Sequence, residues 1–217
     1  MKKKLLLYLL TSTLFGAEKP PTTVYLVRHG QTEWNKRGLL QGQIDIPLND
    51  AGRSEAAQLN QKLHAVNFGA CYSSDLLRAT ETARILIGPR HLALKTDQRL
   101  RERMYGPWEG RAPGEFLNAL AKGESQAGVE SDEAILDRVL PALYEIANAN
   151  TGAHVLVVTH GGVLRVLLTQ LLELGDSTRR DLKVHNMALL QLAFSEGQCQ
   201  IQNLEGVELP AEKMSSL

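Results

Sequence analysis

Cysteine is nearly absent. Cys71 and Cys199 are the only two in 217 residues, too few for a disulfide framework or a four-thiolate zinc site. No charge of one sign dominates either, since Lys+Arg and Asp+Glu both total 24. Without a basic footprint, nucleic acid is not an expected partner. No internal repeat or low-complexity block is visible, which excludes a solenoid or a linker-rich chain. No apolar run approaches the roughly 20 residues that span a bilayer. What remains is 43% hydrophobic and 22% charged, the balance of a folded globular domain.

The N-terminus stands apart. Met1-Lys2-Lys3-Lys4 precedes an apolar run of eleven residues, Leu5 to Phe15, and then Gly16-Ala17. A basic start, an apolar centre and a small-residue end are the order of a secretory signal peptide. The expectation is a leader over 1–17 and export to the periplasm or cell envelope. The alternative is a cytoplasmic protein with an unstructured leader. Cleavage after Ala17 would leave 21 basic residues against 24 acidic.

Pro20-Pro21 marks a linker over 18–22. Thr23–Val27 is short, β-branched and apolar, the pattern of a strand buried on both faces. Asn49 or Asp50 can cap a helix carrying Ala56, Leu59, Leu63 and Val66 on one side. Ala70–Ser73 predicts a second strand, and Ser73 or Ser74 a cap for a helix to about Ile87. Gly88-Pro89 ends it. His91–Thr96 is a weaker strand. Residues 101–130 predict loop, with a short helix near Glu115–Ala121. Ser131–Ala149 predicts a helix, with Pro141 as a kink or boundary. His154–Val158 is the clearest buried strand, and Gly161–Leu174 a largely buried helix. Met187–Phe194 and Gln198–Asn203 predict two further strands. Alternating strands and helices give an α/β fold: a single-domain three-layer sandwich over 23–205, its central sheet mostly parallel with helices on both faces. Residues 206–217 are expected to be a tail.

Ligands of such sheets bind at the carboxyl ends of the strands. Arg28-His29-Gly30 follows the first strand, Arg78 opens the helix after the second, and Thr159-His160-Gly161-Gly162 follows the fourth. Two arginines and two histidines thus converge on one edge. Guanidinium groups suit a phosphate dianion, and helix-start N–H groups add to the grip. Binding alone does not require two histidines, so one can serve as a nucleophile toward phosphorus. Glu102 is then the candidate general acid for the leaving alcohol. Each residue also has a plain structural reading. Arg78 can pair with Glu81 or Glu55, and Glu102 can be a solvated partner of its flanking arginines. Trp34, Tyr105 and Trp108 can line the leaving-group side or simply pack. His64, His91, His154 and His185 lack a strand-end context. Cys71, in a buried strand, is expected to be a packed free thiol rather than half of a disulfide with Cys199.

Arg28-His29-Gly30-Gln31-Thr32-Glu33-Trp34-Asn35 resembles the signature of the histidine phosphatase superfamily, the phosphoglycerate-mutase-like proteins. The resemblance continues through Gln41-Gly42, Asp45, Ser73-Ser74, Arg78-Ala79, Glu102, Tyr105-Gly106, Trp108-Glu109-Gly110 and His160-Gly161-Gly162. It implies His29 as the phosphorylated nucleophile and Glu102 as proton donor, with His160, Arg28 and Arg78 holding the phosphate. Asn35, Gln41 and Gly161 match positions around the same pocket. It implies no metal and no cofactor. The partner expected is a small phosphorylated substrate, and the oligomeric state is open. The short stretch from Gly110 to Ser131 resembles the phosphatase branch more than the mutases. A cofactor-dependent phosphoglycerate mutase and a non-catalytic phosphate binder are the two alternatives.

Overall fold

The computed structural model describes residues 20–124, 126–175 and 181–210. The expected leader, the first part of the linker and the last seven residues of the expected tail lie outside these.

Six strands form one sheet: β1 (Thr22–Arg28), β2 (Phe68–Ser73), β3 (Leu94–Thr96), β4 (His154–Thr159), β5 (Lys183–Ser195) and β6 (Gln198–Glu208), in the order β3-β2-β4-β1-β5-β6. The pairs among β3, β2, β4 and β1 are parallel, while β5 and β6 add antiparallel. This is the expected mostly parallel sheet, closed on one side by an antiparallel ribbon. The apolar faces of β1 and β4 point alternately to two cores. Val24, Leu26, Val155 and Val157 meet helices α5 (Asp132–Asn148) and α6 (Gly161–Leu171). Tyr25, Val27, Leu156 and Val158 meet α2 (Asp50–Lys62) and α3 (Leu77–Ile87). Burial on both faces is why these strands carry unbroken Val/Leu runs instead of alternating polarity.

Asn49, one of the two expected caps, starts α2, and Ser131, the first residue of the helix expected there, caps α5. Asn49 Oδ1 accepts from Gly52 N at 2.9 Å, and Ser131 Oγ accepts from Ala134 N at 3.1 Å. The cap of α3 is different. Leu76 sits at its N-cap without a side-chain bond, and Ser74 Oγ reaches only Leu76 N at 3.3 Å. Asp45, from a distant loop, takes Leu77 N at 2.6 Å instead. Pro141 does not bound α5, which runs through it. Helix α6 stops at Leu171, three residues short of the expected end; β5 is longer than expected at both ends, and β6 starts at the expected Gln198 but runs on to Glu208, into the expected tail. The apolar pattern of β5 is masked at its start by the polar residues Lys183, His185 and Asn186, the last two within a bulge against β6. Two shorter helices, α1 (Glu33–Lys36) and α4 (Pro113–Ala121), lie in the loops beside the site. Among the described residues, no helix is long and apolar enough to cross a membrane. Both cysteines are free, and burial pushes the Cys71 thiol up to about 12.

Candidate active site

Strands β1 and β4 are neighbours, with Arg28 opposite Thr159, so the residues that follow them emerge side by side. His29 N donates to Thr159 O at 3.0 Å, which fixes the first residue beyond β1 against the end of β4. The His29 and His160 rings meet edge to face with centroids 5.1 Å apart, and both side chains are buried.

The proton position on His29 follows from its partners. Nδ1 lies 2.7 Å from Gly30 O, which can only accept, so Nδ1 carries the hydrogen. Nε2 therefore holds the lone pair and accepts from Arg78 Nε at 3.2 Å. Burial holds the imidazole well below its ordinary 6.5, and the charges of Arg78 and then Arg28 push the same way. His29 is thus a neutral imidazole with Nε2 available as a base or nucleophile. His160 is held neutral in the same sense, by burial first and then by Arg78 and His29.

Arg78 is fully buried, and its guanidinium is braced by two carbonyls, Gly42 O at 2.7 Å and Ile44 O at 2.9 Å. Burial lowers it to about 10, so it remains a cation at neutral pH. Arg28 Nη1 donates to Val184 O at 2.5 Å, while its Nε is buried without a partner. Both ring nitrogens of His160 and Gln41 Oε1 are likewise buried and unpartnered. Polar atoms left unpaired in a protein interior are costly, so the unpaired Arg28 Nε and His160 ring beside His29 point to a polar ligand that completes them.

Glu102 turns inward. Its Oε1 accepts from Arg103 N at 2.8 Å and its Oε2 from Gly162 N at 3.0 Å, at the start of α6. A Cβ at Gly162 would overlap Glu102 Oε1, and one at Gly161 would sit 3.0 Å from Arg28 Nε. Both glycines therefore admit neighbours that no larger residue would. The flanking arginines have other partners: Arg101 binds Asp75 and Arg103 binds Asp132. Glu81 and Glu55 accept from Leu48 N and Gln31 N. The surface-pair readings of Glu102 and Arg78 are therefore not realised.

Asn35 closes the first turn of α1, its Oδ1 accepting from Thr32 N at 3.2 Å and Thr32 Oγ1 at 3.1 Å. Tyr105 and Trp108 each pack edge to face on Phe116 of α4. Two supporting residues, Arg138 and Asn186, have no signal in the sequence, and a third, Asp45, enters there only through the resemblance, without a role. Arg138 donates to the carbonyls of Arg99, Arg101 and Glu102 and pairs with Glu130, clamping the loop that presents Glu102. Asp45 caps the helix of Arg78, and Asn186 reaches His29 from β5. Arg138 sits on a helix among apolar neighbours, where periodicity cannot separate a clamp from a solvated face.

The geometry brings His29, His160, Arg28, Arg78, Glu102, Gln41 and Gly161 to one carboxyl edge of the sheet. Among the described residues, no group of three or more His, Cys, Asp or Glu side chains is placed to hold a metal ion. Comparison with known proteins agrees with this architecture. A profile of the histidine phosphatase superfamily (branch 1) matches residues 24–206. The chain is 37% identical over 157 residues to phosphoglycerate mutase-like protein 4 of Arabidopsis thaliana, covering 66% of this chain and 68% of that one. It is 31% identical over 182 residues to the uncharacterized phosphatase PhoE of Bacillus subtilis (strain 168), covering 84% and 93%. Among solved structures, Bacillus stearothermophilus YhfR superposes with a TM-score of 0.77 at 32% identity, covering 85% of this chain and 96% of that one.

Proposed function

The chain belongs to the histidine phosphatase superfamily and is an enzyme of that superfamily, and from that premise we propose that it hydrolyses small phosphomonoesters through a phosphohistidine at His29. The observation that carries this is the His29 imidazole: buried, neutral, and with its lone pair on the nitrogen that faces Arg78.

In the proposed first step, His29 Nε2 attacks phosphorus and the bond to the alkoxide oxygen breaks. Arg78 Nε–H exchanges the lone pair for a phosphoryl oxygen. Arg28 and His160 donate to the others and offset charge that spreads in the transition state. Glu102, in its acid form, passes a proton to the departing alkoxide. As a carboxylate it then draws a proton from the water that attacks the phosphohistidine, releasing inorganic phosphate and restoring the acid. His160 is here a phosphate ligand with a hydrogen-bond role in the transition state.

The test is phosphate release by chain lacking residues 1–17, followed by ³¹P NMR over a panel of phosphomonoesters. His29→Ala is expected to lose turnover by roughly 10³-fold or more and to form no phosphohistidine. Normal turnover in that variant would overturn the mechanism. Similarity to a phosphoglycerate mutase-like protein keeps the mutase reading in view. With 3-phosphoglycerate and its bisphosphate cofactor, 2-phosphoglycerate forming faster than free phosphate would establish it. The leader pattern extends the proposal to the periplasm or cell envelope. An intact Met1 on the protein from its native host, located in the cytoplasm, would remove that part.

A further inference from the structure

We infer that Asn186 is a positioning residue for the nucleophile, presented to it by a bulge in β5. The inference rests on His29 being phosphorylated as proposed above.

The pairing of β5 with β1 ends at Val27–Leu189, level with the last residues before the site. Beyond it, β5 keeps pairing with β6 but changes register: Val184 lies opposite Val207 and Leu189 opposite Glu205. Residues 185 to 188 thus face the single residue Gly206. Such bulges re-aim side chains next to functional sites. Two further features show that this one is built in. Met187 sits at φ 58°, a left-handed conformation that is uncommon for a side-chain-bearing residue. Gly206 opposes it at φ 68°, and a Cβ there would lie 3.1 Å from Ala188 Cα. The strain is held in place from both strands.

Two groups from this part of β5 meet the site, one just before the bulge and one within it. Val184 O takes Arg28 Nη1 at 2.5 Å, and Asn186 Nδ2 donates to His29 O at 3.0 Å and lies 3.3 Å from Asn35 Oδ1. The amide orientation is determined by chemistry. His29 O is an acceptor, and Asn35 Oδ1 already accepts from Thr32, so the atom facing both must be the nitrogen. With this bond every polar atom of His29 is tied: N to Thr159 O, O to Asn186, Nδ1 to Gly30 O and Nε2 to Arg78. Asn186 also joins the nucleophile to the first turn of α1. Misplacing a reacting atom by about 1 Å can cost on the order of 100-fold, and the backbone carbonyl of the nucleophile is the anchor nearest that error.

The experiment is single-turnover phosphorylation with p-nitrophenyl phosphate, comparing wild type, Asn186→Ala and Asn186→Asp. The aspartate keeps the shape and loses the donor. A positioning role lowers the rate of phosphohistidine formation by about 10- to 100-fold, at full amplitude per chain and with inhibition by inorganic phosphate unchanged. A merely structural role lowers the amplitude and leaves the rate of the folded fraction alone. Should the alanine variant fail to fold, the aspartate variant decides on the same readout. Wild-type rates at full amplitude in either folded variant would overturn the inference. A wild-type protein that takes no phosphate on His29 would end the proposed mechanism and this inference together, whereas labelled wild type with equally fast variants would end only this one.

Discussion

At the scale of single residues, the site is a set of donors and acceptors whose roles are assigned by what each atom can do. Gly30 O can only accept, so His29 Nδ1 donates and Nε2 carries the lone pair. Glu102 is held by two backbone N–H groups, Arg103 N and Gly162 N, in the loop clamped by Arg138. That placement predicts a leaving-group dependence. Glu102→Gln preserves the shape and loses the transferable proton, so turnover of an alkyl phosphate should fall by roughly 10²- to 10⁴-fold. Formation of the phosphohistidine from p-nitrophenyl phosphate, whose leaving group departs without a proton, should fall far less. Measuring both esters checks this; equal losses in that first step would remove Glu102 as the leaving-group acid. Arg28, His29, Arg78 and His160 were all legible in the sequence because each follows a recognisable buried strand within a few residues. Glu102 was legible only through its loop and the family resemblance. Asn186 was not, because its role arises from a register change between two strands.

At the scale of elements, α3 shows how a helix terminus is assembled from elsewhere in the chain. Ser73 and Ser74 carry the right chemistry for a cap, yet the first free N–H group goes to Asp45 from the loop after α1. The same loop supplies Gly42 O and Ile44 O to the Arg78 guanidinium. One segment therefore holds both the start of the helix and the Arg78 guanidinium it carries, the group proposed to bind phosphate. Asp45→Ala is expected to cost about 1 kcal/mol of stability, as loss of a cap usually does. It should also raise KM more than it lowers kcat, because Arg78 loses support on its own helix. Asp45→Asn, which keeps the acceptor, should recover most of the stability. Urea unfolding and steady-state kinetics on the two variants separate these effects; an alanine variant as stable as wild type would show that the contact has no capping role.

At the scale of the whole molecule, two histidines are kept neutral in the interior of a domain that can also unfold and expose them. Both are held well below the ordinary 6.5, chiefly by burial. Below about 6.5 the unfolded chain binds protons that the folded chain refuses, so unfolding is favoured as the pH drops. Their contribution is therefore present above about 6.5 and is lost as the pH falls toward the depressed folded values. Each site can steepen the loss by up to about 1.4 kcal/mol per pH unit. Urea unfolding from pH 7.5 down to pH 5 should show this, and His160→Asn should flatten it. An unaltered pH slope in that variant would mean that His160 gains a proton in the fold as readily as out of it.

The sequence by itself determined the strands buried on both faces, the helices beginning at Asn49 and Ser131, and the α/β order that delivers polar residues to strand ends. These depend on residues within a turn or a strand of one another, so local pattern and propensity suffice. Only the tertiary structure decided which of those ends meet. Arg78 reaches His29 across 49 positions and Asn186 reaches it across 157, and neither separation is encoded in a local pattern. The decision comes from the strand order β2-β4-β1-β5, which sets the ends of β1 and β4 side by side with β2 and β5 flanking them. That order is chosen by how two apolar cores close over both faces of one sheet. The chemistry of the site follows from that packing.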